Sequence, residues 1–292
     1  MRNLLRRPWE RLRYGPLLST ASRSAAARSV YEQTVARIEL QLETERARVA
    51  RRRIEKMLAC EESAAADIYR SALLSEAREE ADTSRLVRGH ETLDHLLATR
   101  ETPAESHGIF ITLHYGSPIL AFLYLRVTLG IPVRAIGRAL DRDNPLSPAK
   151  LCWGKEKVAW LDRASGTTLI PTDVRGTLAA RDELLAGRSL FAAIDVPADV
   201  VGRAAPLEVL GTRLAFANGL LRIAELTRAP LIPFLARSRG GSLEFEFGEP
   251  IRAASLATLT KATERWLSAS LRAHPGEWWL WPFVRAAETG TR

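Results

Sequence analysis

Apolar residues recur along this chain in two rhythms. Across 28–58 they fall at helical spacing. Val35, Ile38, Leu42, Val49 and Met57 lie near one stripe, with Glu43, Glu45, Arg46 and Arg51 to Arg53 around the rest. Residues 62–84 continue as a helix rich in Ala and Glu, and a shorter helix over 88–99 turns Leu93, Leu96 and Leu97 inward. Residues 1–27, rich in Arg, Ser and Ala, show little periodicity and are expected to be mobile or loosely docked. Thr102-Pro103 marks a boundary. It divides a basic N-terminal helical arm or subdomain, 1–101, from a second domain, 102–292.

From residue 108 the rhythm changes. Short apolar runs predict strands over 109–113, 131–136, 168–170, 189–194, 230–236 and 242–247. Between them, amphipathic segments predict helices over 118–129, 148–163, 175–186, 214–228 and 256–273, with a long loop over 196–213. Strands alternating with helices of about 10–15 residues indicate an α/β fold: a mostly parallel central sheet flanked by helices, preceded by the N-terminal helical segment.

Composition narrows the class. At 46% hydrophobic and 26% charged over 292 residues, the chain is that of a soluble globular protein. The net charge of +8 is uneven: residues 1–58 hold 14 Lys/Arg against 6 Asp/Glu, and the remainder holds 28 of each. The basic character therefore belongs to the arm. It suits an acidic protein partner or an anionic membrane surface. Acids interleave its arginines and aromatics are few, so nucleic acid is not an expected partner. The longest apolar stretch, Ile119 to Val133, contains Arg126, Gly130 and Pro132 and falls short of the roughly 20 residues a spanning helix needs. The N-terminus has no apolar core of the signal-peptide kind. The expected location is cytoplasmic, at most peripheral to the inner face of the membrane. Cys60 and Cys152 make neither a disulfide framework nor a zinc site, and no metal is expected.

Four places carry candidate chemistry. His114 ends the run Ile109 to Leu113 and precedes the sharp turn Tyr115-Gly116-Ser117-Pro118. An imidazole at a strand's C-terminal edge is placed to act as a base near neutral pH, or it merely caps the strand. Arg138 and the run Asp141-Arg142-Asp143-Asn144-Pro145 follow the next strand. They would hold an anionic group through arginine and Asn144, or form a solvated turn. Asp195 ends the run Leu190 to Ile194. In a parallel sheet it shares an edge with His114 and would fix the imidazole tautomer, or it is a helix or loop cap. Arg203 follows in the same loop. The segment Trp278-Trp279-Leu280-Trp281 is core that closes the domain or one wall of an acyl-chain tunnel. His90, His95 and His107 lack a partner pattern and are expected at the surface.

The order of these features resembles the late acyltransferases of lipid A biosynthesis, the HtrB/LpxL-type lysophospholipid acyltransferase-like superfamily. The resemblance rests on Gly89-His90-Glu91 to Leu97, Phe110 to Gly116, Arg138 with Asp143-Asn144-Pro145-Leu146, Leu190 to Asp195, Ala215 to Phe234, and Pro275 to Trp281. It implies a glycerolipid-acyltransferase-like fold. It also implies transfer of an acyl group from a thioester, on acyl carrier protein or coenzyme A, to a hydroxyl or amine. His114 would be the general base, and Arg138 and Arg203 would bind phosphate or a carrier arm. No bound cofactor is required. Such a member would work in specialised lipid or natural-product biosynthesis. Three departures mark this chain. The family's carboxylate five residues after the histidine is replaced by Ile119. No spanning helix begins the chain. Trp281 is followed by Pro282-Phe283-Val284-Arg285 rather than by His and Arg. The missing acid leaves open that Asp195 or another distant carboxylate such as Glu208 serves, that the imidazole works unassisted, or that the chain is a non-catalytic subunit that binds acyl chains or carrier protein.

Overall fold

The computed structural model describes residues 2–42, 44–98, 100–141, 144, 146–197, 205–239, 242–252 and 255–287. Its centre is a six-stranded sheet of β1 (Ile109–Thr112), β2 (Val133–Gly137), β3 (Ile170–Pro171), β4 (Ser189–Ala193), β7 (Leu231–Arg239) and β8 (Ser242–Phe247). The spatial order is β3-β2-β4-β1-β7-β8. Every pairing is parallel except β7 with β8, which is an antiparallel hairpin.

The central strands are apolar without interruption because both faces of the sheet are covered. Along β1, Ile109 and Ile111 pack into one core with Ala180 and Leu184 of α9 (Val174–Leu185) and Leu221 of α10 (Gly219–Thr227). Leu267 of α11 (Leu256–Ala273) closes the same core. Phe110 points the other way. It packs with Phe191 and Phe234 against Leu120 of α7 (Pro118–Leu123) and Leu161 of α8 (Pro148–Ser165).

The N-terminal segment is not loosely docked. Helix α1 (Arg2–Leu12), a wide helical turn over Arg13–Leu17 and α2 (Leu18–Ala21) bury Trp9, Tyr14 and Leu18. These pack with Tyr31 and Val35 of α3 (Ala25–Leu42), and with Ala77 and Ala81 of α5 (Glu62–Val87). Helix α4 (Thr44–Leu58) places Ala50 and Ile54 in the core that also holds β1. The helical segment and the sheet therefore share one interior. The sequence-predicted helix over 88–99 shrinks to α6 (Leu93–Leu96).

One stretch differs in kind. Within the predicted loop 196–213 and the start of the predicted helix 214–228, the chain forms an antiparallel hairpin. It consists of β5 (Ala205–Val209) and β6 (Thr212–Phe216). Leu207, Val209, Leu214 and Phe216 alternate inward, and Leu210 and Gly211 turn the chain with positive φ. Among the described residues no helix is long and apolar enough to cross a membrane.

Candidate active site

The parallel pairing of β1 with β4 sets the site. Thr112 lies opposite Ala193, so two residues further on His114 emerges beside Asp195 at the same C-terminal edge. Strands deliver chemistry at this edge because the loops that follow them converge there. The turn after His114 is fixed by its neighbours. The Gly116 amide donates to the Glu277 carbonyl at 3.0 Å, and the Ser117 amide to the Ala236 carbonyl at 2.9 Å. Gly116 has φ +56°, and a Cβ there would sit 2.1 Å from the Ala236 oxygen. The turn needs glycine on both counts.

Asp195 is fully buried, and three N–H groups converge on it. His114 Nδ1 lies 2.9 Å from Oδ1. The His114 backbone amide donates to Oδ2 at 2.8 Å, and Trp278 Nε1 donates to the same oxygen at 2.7 Å. A carboxylate only accepts, so the proton sits on Nδ1 and the lone pair on Nε2. The imidazole side chain remains 37% exposed and borders a cavity. Burial lowers the His114 pKa. The charge and hydrogen bond of Asp195, helped by Glu76, outweigh burial and hold it above the usual histidine value.

The segment after α11 completes the wall. Ser75 of α5 donates to Glu277 Oε2 at 2.6 Å and accepts from Trp279 Nε1 at 3.3 Å. Gly276 packs so closely on α5 that a Cβ would lie 2.7 Å from that of Ser71. Trp278 and Trp281 are buried against each other, ring centroids 4.8 Å apart. Trp279 instead meets the His114 ring edge-on at 6.3 Å. The tryptophan cluster is thus both core and site wall.

His114 and Trp279 border a cavity of about 240 Å³. Its lining is largely apolar: Ile119 and Phe122 of α7, Val158 and Leu161 of α8, Leu169, and Phe191 of β4. Ile119 stands five residues after His114. It adds to the apolar wall, and Asp195 reaches the imidazole from the neighbouring strand.

The other sequence candidates lie apart. Arg138 and Asn144 are not in the cavity lining. Asn144 serves its own loop: Nδ2 donates to the Ala139 carbonyl at 2.8 Å, and Oδ1 accepts from the Leu146 amide at 3.2 Å. Arg203, like Arg142, Asp143 and Pro145, lies outside the described residues. Glu208 faces Arg213 across the β5–β6 hairpin rather than the imidazole. His90, His95 and His107 are exposed. Among the described residues no group of His, Cys, Asp and Glu is arranged to hold a metal ion. Sequence reading missed the Trp278 indole, which becomes an Asp195 ligand only when the chain returns to the sheet edge. No protein-family model matches this chain, and a search of curated proteins finds none that matches it.

Proposed function

We propose that the protein is an acyltransferase that moves an acyl group from a thioester, on acyl carrier protein or coenzyme A, to a hydroxyl or amine. The observation that carries this reading is the His114–Asp195 pair, Nδ1 to Oδ1 2.9 Å, opening on an apolar cavity. Such a cavity accommodates an acyl chain, and such an imidazole is a general base with its tautomer fixed.

In this mechanism the acceptor O–H or N–H gives its proton to His114 Nε2 while its lone pair attacks the thioester carbonyl carbon. Asp195 stabilises the resulting imidazolium. The tetrahedral intermediate collapses, the C–S bond breaks, and the departing thiolate takes the proton back from the imidazolium. Neither Cys152 nor Ser117 is required as a nucleophile. The fold belongs in this reading with the glycerolipid-acyltransferase-like arrangement. The reaction takes place in the cytoplasm, with the basic N-terminal segment turned to an acidic carrier protein or an anionic membrane surface.

Transfer of radiolabelled acyl groups from carrier-protein and coenzyme A thioesters tests the proposal. His114→Ala is expected to lower turnover by about 10²–10⁴-fold, and Asp195→Asn by at least tenfold. Equal turnover by wild type and His114→Ala with every donor would remove the enzyme reading in favour of an acyl-binding subunit.

A further inference from the structure

The cavity beside His114 is not uniformly apolar. Glu79 of α5, Thr112 of β1 and Lys157 of α8 share its lining, and the His114–Asp195 pair uses none of them. Each is short of partners. Glu79 is 2% exposed. Thr83 Oγ1 donates to its Oε1 at 3.1 Å, and among the described residues no hydrogen bond reaches Oε2. Burial pushes the Glu79 carboxyl above its ordinary value, and the positive charge of Lys157 opposes that push without touching it. Among the described residues Lys157 has no hydrogen bond or ion pair of its own, although it is half-buried. Thr112 is fully buried with its Oγ1 unpartnered.

Polar groups left unpaired in a largely apolar cavity are unfavourable once a ligand displaces the solvent there, unless that ligand satisfies them. Their chemistry restricts that ligand. A carboxylate accepts, an ammonium donates, and here they face one cavity without meeting. A plain hydrocarbon desolvates both and pairs neither. An anion or a cation is repelled by one of them. A hydroxyl accepts from Lys157 and donates to Glu79 at once. Apart from His114, the rest of the lining is largely aliphatic and aromatic, which places that hydroxyl on an acyl chain.

We propose that Glu79 and Lys157, with Thr112 beside them, form a polar subsite that selects a hydroxyl-bearing acyl chain over a plain saturated one. The inference deepens the acyl-transfer reading and rests on it for the identity of the ligand. Its test reads binding as well as turnover. Calorimetric titration of the full chain would compare plain medium-chain fatty acid methyl esters with esters hydroxylated at successive chain positions. At one position the hydroxylated ester is expected to bind about tenfold tighter. Lys157→Met keeps the aliphatic stem, and Glu79→Gln keeps the acceptor for Thr83; each should bring that ratio towards one. Thr112→Val is isosteric and loses no hydrogen bond, so it should fold as well as wild type while weakening the preference.

A wild-type ratio of one at every position overturns the subsite. So does a ratio unchanged in both Lys157→Met and Glu79→Gln, or no ester binding at all. A ratio of one alongside His114-dependent transfer of plain acyl groups overturns the subsite alone. A preference abolished by Lys157→Met, with no transfer from any thioester, supports the subsite and counts against the enzyme.

Discussion

Asp195 accepts three hydrogen bonds in a fully buried position, so the orientation and tautomer of His114 are set by a carboxylate that solvent does not reach. The pH dependence follows from this. In the proposed reaction base catalysis needs the neutral imidazole, so kcat/KM should rise with pH through a His114 pKa lying above its ordinary value. Asp195→Asn removes the main raising cause and leaves burial, which lowers the pKa. The acid limb of the profile, and the ring's titration by NMR, should then move to lower pH. An unmoved limb would detach Asp195 from the base. Stability carries the matching sign. A folded-state pKa raised above the unfolded value of about 6.5 stabilises the native state below that pH, and the gain is lost as pH rises through the folded pKa. His114→Gln should therefore cost more stability at about pH 5.5 than at about pH 8.5 in urea titrations. Trp278→Phe removes one charge-assisted bond to Asp195 and should cost about 1.5–3 kcal/mol by the same measurement. His114 and Asp195 are legible in the sequence because each ends an apolar run. Trp278, Glu79 and Lys157 are not, because what each touches is decided by distant segments.

The strand-to-turn elements show why position along a run is informative and identity within a loop is not. Apolar runs around β1, β4 and β7 mark the buried strands because two covered faces leave no polar alternation to obscure them. The β5–β6 hairpin alternates, with Pro206 and Glu208 outward, but the alternation spans only five residues per strand, a proline lies near its start, and its turn is made by Leu210-Gly211 instead of an Asn-Gly pair. That stretch consequently reads as a loop. Helix α7 ends early for a related reason: Tyr124–Thr128 continue it as a wider turn, which ordinary helical periodicity does not encode. The His114 turn gives the sharpest test at this scale. Gly116→Ala meets both a positive φ and the Ala236 carbonyl, whereas Gly166→Ala meets a φ of +67° and open space. Gly166→Ala should cost about 1 kcal/mol. Gly116→Ala should cost more, about 2–4 kcal/mol, and in the proposed reaction should lower turnover besides, because the turn follows directly on the proposed base. Equal denaturation midpoints for the two variants would show that the Ala236 contact yields freely.

For the molecule as a whole, the N-terminal segment is part of the scaffold on which the site is built. Its excess of arginine and lack of periodicity read as a mobile arm, because nothing local indicates that Arg13 is a core residue. The carboxylates that admit it come from far along the chain. Arg13 Nη1 donates to Glu39 at 2.7 Å, and its Nη2 to Glu80 at 2.9 Å. Trp9 donates to Glu39, and Tyr14 and Tyr31 donate to Glu80. Burial lowers the Arg13 pKa, but the charge of Glu80 more than reverses it, so the guanidinium stays ionised. This network holds α1 and α3 against α5, and α5 carries Ser75 and Glu79 to the site wall. Arg13→Ala would leave Glu39 and Glu80 buried without their cation, at a cost of about 3–5 kcal/mol. Because Arg13 and both carboxylates are buried, that cost should persist in high salt. Arg48→Ala removes an exposed pair with Glu45 and should leave stability unchanged within error. Urea denaturation of both variants at low and high salt separates a docked scaffold from a loose arm. Indistinguishable midpoints for Arg13→Ala and wild type would return residues 2–21 to the status of a solvated extension.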